Sequence, residues 1–332
     1  MDSKDHRKAI RAWTMYDWAN SVFATSIMAA ILPVYYANVA VQSEQANTAT
    51  VYWSLTTSIA LIIVAILGPI LGAMADFLGT KKKMMIGFLF LGVTATALLF
   101  RITTGDWFLA SLFFIFGSIG FSGANVFYDS LLPHVARADE IDQVSSRGYA
   151  MGYLGGGILL AVNLAMIMIL PGILPSLIPS LAGLPESEIS LFMTRLCFIT
   201  VAIWWLLFSI PIWKHVQEPE RRIMKGEREF NPLKASISRL RLTFGEIKKY
   251  KQLLLFIIAF WLYNNGIGTI IYMATIYGTE LGFSSTTTIG TLLMVQFVAI
   301  PFAFLFGWLA KKMGTKAAIL LSLGIYTLIA IA

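Results

Sequence analysis

The chain has 332 residues, 57% of them hydrophobic and only 13% charged, with a formal net charge of +7. Its mean hydropathy of +0.73 excludes an ordinary soluble domain and points to a chain built for lipid. The positive balance needs no nucleic acid to explain it, because basic loops beside anionic lipid account for it. Crossing about 30 Å of hydrocarbon takes about 20 apolar residues. Such runs fall at roughly 14–39, 51–75, 84–101, 107–131, 149–171, 193–213, 253–278, 288–310 and 317–332, which predicts eight spans and most of a ninth. The first run follows a short basic segment, but it is long and contains Asp17 and Asn20, so it reads as a retained span rather than a cleaved leader.

Placing the N-terminus in the cytoplasm puts Lys4, Arg7, Lys8 and Arg11 on the inner side. Lys81 to Lys83, Arg137, Arg147, the loop from Lys214 to Lys251, and Lys311, Lys312 and Lys316 fall on that same side. Only Arg101 and Arg195 are left at outer ends, which is the bias imposed when Lys and Arg resist translocation. The outer loop after span five contains Pro171, Pro175, Pro179 and Pro185 and is expected to be irregular rather than helical throughout. In the charged stretch after span six, Phe230, Leu233, Ile237, Leu240, Phe244 and Ile247 recur at intervals of three and four. They form an apolar helical stripe, with Lys234, Arg239, Arg241, Lys248 and Lys249 mostly off it. A helix lying on the inner membrane surface is the plainer reading, and a partner-binding helix the other. The organisation expected is a six-span half at 1–213, a basic amphipathic linker at 214–252, and an incomplete second half, spans seven to nine, at 253–332.

Cys197, the one cysteine, lies in an apolar run, so no disulfide forms within the chain. His6, His134 and His215 are scattered without metal spacing, and no GxxxxGK[ST] is present. No metal, cofactor or ATP motor is implied, and no constellation of an enzyme lines the spans. Gly117, Gly120 and Gly123 sit inside span four, where close helix packing outweighs a nucleotide loop.

Polar residues inside hydrocarbon cost a few kcal/mol each and turn toward a cavity or a partner. In span one, Asp17, Asn20, Ser21, Ala24, Thr25 and Met28 share a face. In span four, Ser118, Ser122, Asn125 and Asp129 step by four, three and four, and in span seven Asn265, Thr269 and Tyr272 align. Gly148, Gly152 and Gly156 form a small-residue ridge on span five that suits close helix approach. Asp17 and Asp129 lie near the cytoplasmic boundary, where solvation or an ion pair with Arg147 competes with a role in binding or proton coupling. Tyr16, Trp18 and Tyr128 fit interface anchors as well as ligand contacts.

The segment GAMADFLGTKKK, Gly72 to Lys83, has a degraded copy in GWLAKKMGTK, Gly307 to Lys316. A basic turn repeated after corresponding runs marks a chain of two related membrane halves. The turn resembles the loop between spans two and three of the major facilitator superfamily, matching at Gly72, Asp76, Gly79, Lys81 and Lys82. It departs from that pattern at Phe77 and Thr80, and Lys311 replaces the acid of the second copy. YDWANS, NVFYDSLLP, SSRGYAMGYLGGG and YNNGIGTI together resemble the autophagy-related vacuolar effluxers and their bacterial relatives. Asn265 stands where that family often has an acid.

The resemblance implies an all-α integral membrane protein, a major facilitator-type helical bundle. With twelve spans in that bundle and the chain stopping at Ala332 within an apolar run, it reads as truncated after about nine of twelve spans. It also implies a monomeric secondary transporter in a bacterial inner membrane, moving a small polar, amino-acid-like solute with a coupling proton or ion. A non-transporting scaffold or receptor, or an inactive fragment of a transporter, is the alternative. Asn20, Asn125, Asn265, Thr269 and Tyr272 are the cavity candidates and Asp17 and Asp129 the coupling candidates. Gly72, Asp76, Gly79, Lys81 and Lys82 make up the gating motif, with Asp76 expected to lack the partner that the superfamily supplies from span eleven and to lie in a basic, solvated turn beside Lys81 to Lys83.

Overall fold

The computed structural model describes residues 3–41, 47–181, 183–219, 231–247 and 249–331. Lipid supplies no hydrogen bonds, so each spanning segment must satisfy its backbone internally. Among the described residues the chain is accordingly helical, without a β-strand. Eight helices are long and apolar enough to cross a membrane: α1 Lys4–Ala40, α2 Thr48–Leu78, α3 Lys81–Arg101, α4 Trp107–Val135, α5 Ile141–Met168, α6 Glu186–His215, α7 Lys251–Glu280 and α8 Ser285–Met313. A shorter helix, α9, covers Thr315–Ile331.

The apolar runs read from the sequence fall on these helices, except that the fifth runs three residues past Met168 and the last ends outside the described residues. The first one differs at its start, because the basic segment ahead of it continues the helix. His6 Nε2 lies 2.9 Å from Glu140 Oε2, which ties this extension to the loop before α5. Further up, α1 is not a regular α-helix: Phe23–Ala30 and Tyr36–Ala40 are π-helical. The Ile31 N–H there reaches back to the Ser26 carbonyl, and Val41 reaches Tyr36 at 2.9 Å.

The repeated turns each close their helix on a positive-φ glycine. Gly79 (φ +62°, ψ +32°) is left-handed and Gly314 (φ +87°, ψ +146°) is extended at positive φ, both conformations that glycine allows. Their N–H groups bond the Ala75 and Ala310 carbonyls, both at 3.0 Å, which caps α2 and α8. At the other face, the Thr103 hydroxyl and N–H bond Asp106 Oδ2 at 2.6 and 2.8 Å. These bonds hold the Asp106 carboxyl below its usual range.

Packing explains the glycines of span four. Gly117 faces the Phe23 ring, Gly120 lies against the Gly92 backbone, and Gly123 against the Phe88 ring. Gly120 and Gly123 let α3 and α4 approach closely and Gly117 makes room for α1, as small residues allow in lipid. The α1 helix runs through the core, with Trp13, Tyr16, Phe23 and Ile27 buried. It is flanked by α5 and α6, while α8 lies on α5 and α7 touches the outer part of α1 and α2.

The proline-rich outer loop includes a short helix, Leu170–Leu177, and a turn at Pro179–Leu181. After span six, Pro232–Ile247 is a helix entered through Asn231, whose Oδ1 accepts the Leu233 N–H at 3.1 Å. It packs on α2 through buried Ala235 and Ser236, leaving Leu233 and Ile237 of the predicted stripe exposed. Phe230 and Lys248 lie outside the described residues, as does the side chain of Phe244.

Candidate functional site

The polar face of α1 meets the glycine ridge of α5. A Cβ at Gly148 would collide with Asp17 Oδ2, one at Gly152 with Ser21 Oγ, and one at Gly156 with Thr25 Oγ1. Both helices run the same way and both series step by four, so the contacts repeat in register along a parallel seam. The packing reading of this ridge therefore holds, and what it packs against is the row of polar side chains.

On the other side of α1 stands α4. Tyr128 donates its hydroxyl to Asp17 Oδ2 at 2.7 Å, while its carbonyl accepts the Trp13 indole N–H at 3.1 Å. Its ring stacks on Trp13 with centroids 4.3 Å apart, and Tyr16 lies at 4.8 Å. One turn above Asp17, Asn20 Nδ2 donates to Asn125 Oδ1 at 2.7 Å, with Asn20 only 3% exposed. Asp17 is half-buried and Asp129 exposed. Arg147 forms no ion pair with either carboxylate among the described residues, which corrects the ion-pair expectation. Tyr16 and Tyr128 are core side chains rather than interface anchors. Trp18 stacks on Trp204 at 5.4 Å.

The later helices reach this row from above. Gln296 of α8 donates Nε2 to Thr25 Oγ1 at 3.0 Å. Thr275 of α7 donates its hydroxyl to the Ala29 carbonyl at 2.6 Å. Pro33, four residues after Ala29, has no N–H, so that carbonyl lacks the donor an α-helix would supply. A helix of the second half provides it instead. Tyr272 contributes through its backbone, its carbonyl accepting the Trp53 indole N–H at 2.9 Å.

Asn265 and Thr269 are not brought into this cluster. Both are exposed and bond within their own helix, Asn265 Nδ2 to the Trp261 carbonyl at 2.7 Å and Thr269 Oγ1 to the Asn265 carbonyl at 2.9 Å. The three asparagines expected to converge are thus two that touch and one apart. Gln296 and Thr275 were not singled out from the sequence. A lone amide in the apolar run LLMVQFVAIP was a signal of the same kind as Asn265, and the proline in ILPVYY marked the free carbonyl.

At the basic turn, Asp76 Oδ1 lies 2.8 Å from Lys81 Nζ, with the Asp76 side chain 57% exposed. The carboxylate is solvated and lies beside the lysines of the turn as expected, with Lys81 pairing it directly. Lys82 bonds the Trp213 and Val216 carbonyls with Nζ at 3.0 and 2.8 Å, and its N–H donates to Glu218 Oε1 at 2.9 Å. It thereby caps the last carbonyls of α6 and ties that helix to the start of α3. A Cβ at Gly72 would meet Val126 at an ordinary 3.9 Å.

Comparison with known proteins agrees with this architecture. Residues 43–332 match the family described as vacuole effluxer Atg22 like. An uncharacterized MFS-type transporter of Bacillus subtilis, YxiO, is 37% identical over 329 residues, covering 99% of this chain and 73% of the relative. Autophagy-related protein 22 of Yarrowia lipolytica is 23% identical over 158 residues, 42% of this chain and 24% of the relative. Among solved structures, the xylose transporter XylE from E. coli, in a partially occluded inward-open conformation, superposes with a TM-score of 0.59 at 15% identity. That match covers 94% of this chain and 72% of the other. A D-xylose-proton symporter gives 0.53 at 15%, covering 92% and 68%. At such identity these two structures speak for the fold.

Proposed function

The chain belongs to the vacuole effluxer Atg22-like family of the major facilitator superfamily, and from that premise we propose that it is a secondary active transporter working by alternating access on a small polar solute. The cargo is a zwitterion of amino-acid type, moved across a bacterial inner membrane by a monomer with its N-terminus in the cytoplasm. Its frame is the six-span half at 1–213, the linker at 214–252, and the second half from 253 onward, rocking about a central polar row.

The Asn20–Asn125 pair carries this reading. A buried amide and a half-buried one offer both donors and acceptors, which suits a solute presenting an ammonium and a carboxylate. Thr25 and Gln296 extend the same row to the second half, whereas Asn265, Thr269 and Tyr272 would join it only on movement of α7. Asp17 and Asp129 are the coupling carboxylates in this reading, since position 265 holds an amide. The Gly72 to Lys82 turn, closed by the Asp76–Lys81 pair, is the gate element.

The test is exchange in vesicles. Asn20→Ala and Asn125→Ala should each raise the KM for solute exchange about tenfold or more, as loss of a buried polar contact does. Asp17→Asn and Asp129→Asn should separate the two activities, at least one of them losing pH-driven uptake while exchange persists. Full exchange in both amide variants at unchanged KM would contradict the site, and full pH-driven uptake in both Asn variants would move the coupling elsewhere.

A further inference from the structure

Two carboxylate–threonine hydrogen bonds join the first six helices to the last three, one at each face of the bundle. On the face bearing the N-terminus, Thr315 Oγ1, at the start of α9, donates to Asp142 Oδ2, in the first turn of α5, at 3.2 Å. On the opposite face, Thr50 Oγ1, near the start of α2, donates to Glu280 Oε2, at the end of α7, at 2.9 Å. The two bonds sit in different settings, a close helix approach at the inner face and an open cleft at the outer one. Gly307 of α8 lies so close to α5 that a Cβ there would stand 2.9 Å from Ser146 Oγ, one turn beyond Asp142. At the opposite face, Thr50 and Glu280 line a polar cleft of about 160 Å³ together with Asn38, Asn47 and Thr279.

The charge placement at the inner seam has a further logic. The second copy of the basic turn has Lys311 where the first has Asp76, so it brings no acid of its own. Asp142 supplies one from α5. It stands at the N-terminal ends of both α5 and α9, where the partial positive charge of each helix favours a carboxylate.

We propose that Asp142 and Glu280 are opposed latch residues whose hydrogen bonds, to Thr315 and Thr50, set the balance between inward-open and outward-open states. This rests on the alternating-access reading. A bundle that opens at one face must break the bond there while keeping the other, so weakening either latch shifts the population in a defined direction. Both residues are positioning groups, and neither touches the Asn20–Asn125 pair.

The experiment measures the reaction of an impermeant thiol reagent, from each side of sealed vesicles, with single cysteines at Ser146→Cys and Ala49→Cys in a Cys197→Ala background. Asp142→Ala or Thr315→Val should raise labelling at position 146 and lower it at 49. Glu280→Ala or Thr50→Val should do the reverse, each by about threefold to fivefold for the loss of one exposed charge-assisted bond. Gly307→Leu is the reference, read at position 49 because its side chain lies against position 146: a wedge in the inner seam should lower labelling at 49 without touching either latch. A working wedge with latch variants that leave both positions unchanged, or shift both the same way, overturns the latches alone. A wedge that leaves labelling at 49 unchanged overturns alternating access, and the latches with it.

Discussion

Gly152→Ala tests the α1–α5 seam, because its sign depends on one atom. The new Cβ would collide with Ser21 Oγ while standing 3.4 Å from the Asp17 carbonyl and from Ser21 Cβ, both ordinary contacts. Overpacking of a tight site costs about 1–3 kcal/mol. Replacing glycine by alanine inside a helix returns about 0.8–1 kcal/mol, so the net loss is about 0–2 kcal/mol. Gly87, on α3, has nothing within 4 Å of the same position, so Gly87→Ala should gain about 0.8–1 kcal/mol. In a Ser21→Ala background the colliding oxygen is gone, and Gly152→Ala should then turn from destabilising or neutral to stabilising. Cys197 provides the assay. It is the sole cysteine and fully buried, so a thiol-reactive dye reports unfolding during a thermal ramp in detergent. Each kcal/mol should move the midpoint by about 2–4 °C. A Gly152→Ala protein as stable as Gly87→Ala, or one that Ser21→Ala fails to rescue, would refute the seam as drawn.

Asp76→Asn should slow transport while expression and melting stay near the parent's, because an exposed ion pair such as Asp76–Lys81 contributes at most about 1 kcal/mol. Unchanged transport would leave the turn as an anchor only. Glu140 is held below the usual carboxylate range, first by its hydrogen bond with His6. The stability it contributes is present above its unfolded pKa of about 4.3 and is lost as pH falls through the lower folded value. Glu140→Gln should therefore melt below the parent at neutral pH and match it in strong acid, and a constant gap across that range would contradict the pairing. Lys249→Cys and Ser187→Cys should react with an impermeant thiol reagent from opposite sides of the membrane. Labelling of both from outside would defeat the orientation.

The spans were legible because runs of about 20 apolar residues have few other uses. The ridge at Gly148, Gly152 and Gly156 was legible as packing, although the sequence did not say that the polar row of α1 would lie beneath it. The α-helical extension at Lys4 was not, since a basic solvated turn has no apolar period, and what holds it is a His6–Glu140 contact between distant segments. Nor were the π-helical turns of α1, which depend on a shift of backbone bonding that composition does not record. Lys81 was read as part of a basic turn. Its partnership with Asp76 requires the left-handed Gly79 to fold the chain back, a conformation the glycine permits without announcing its result. Helical faces singled out Asn20, Asn125 and Asn265 alike, and only the resemblance brought the three spans together; Asn20 and Asn125 meet, whereas Asn265 stands apart.

The most direct measurement is uptake by the purified protein reconstituted in sealed vesicles, with an imposed pH gradient and a panel of labelled neutral amino acids, without ATP. The account predicts protein-dependent accumulation of at least one solute above its equilibrium level, collapsing when the gradient is dissipated and leaving exchange intact. Absence of both gradient-driven uptake and exchange for every solute in the panel, in protein that melts cooperatively, would contradict it.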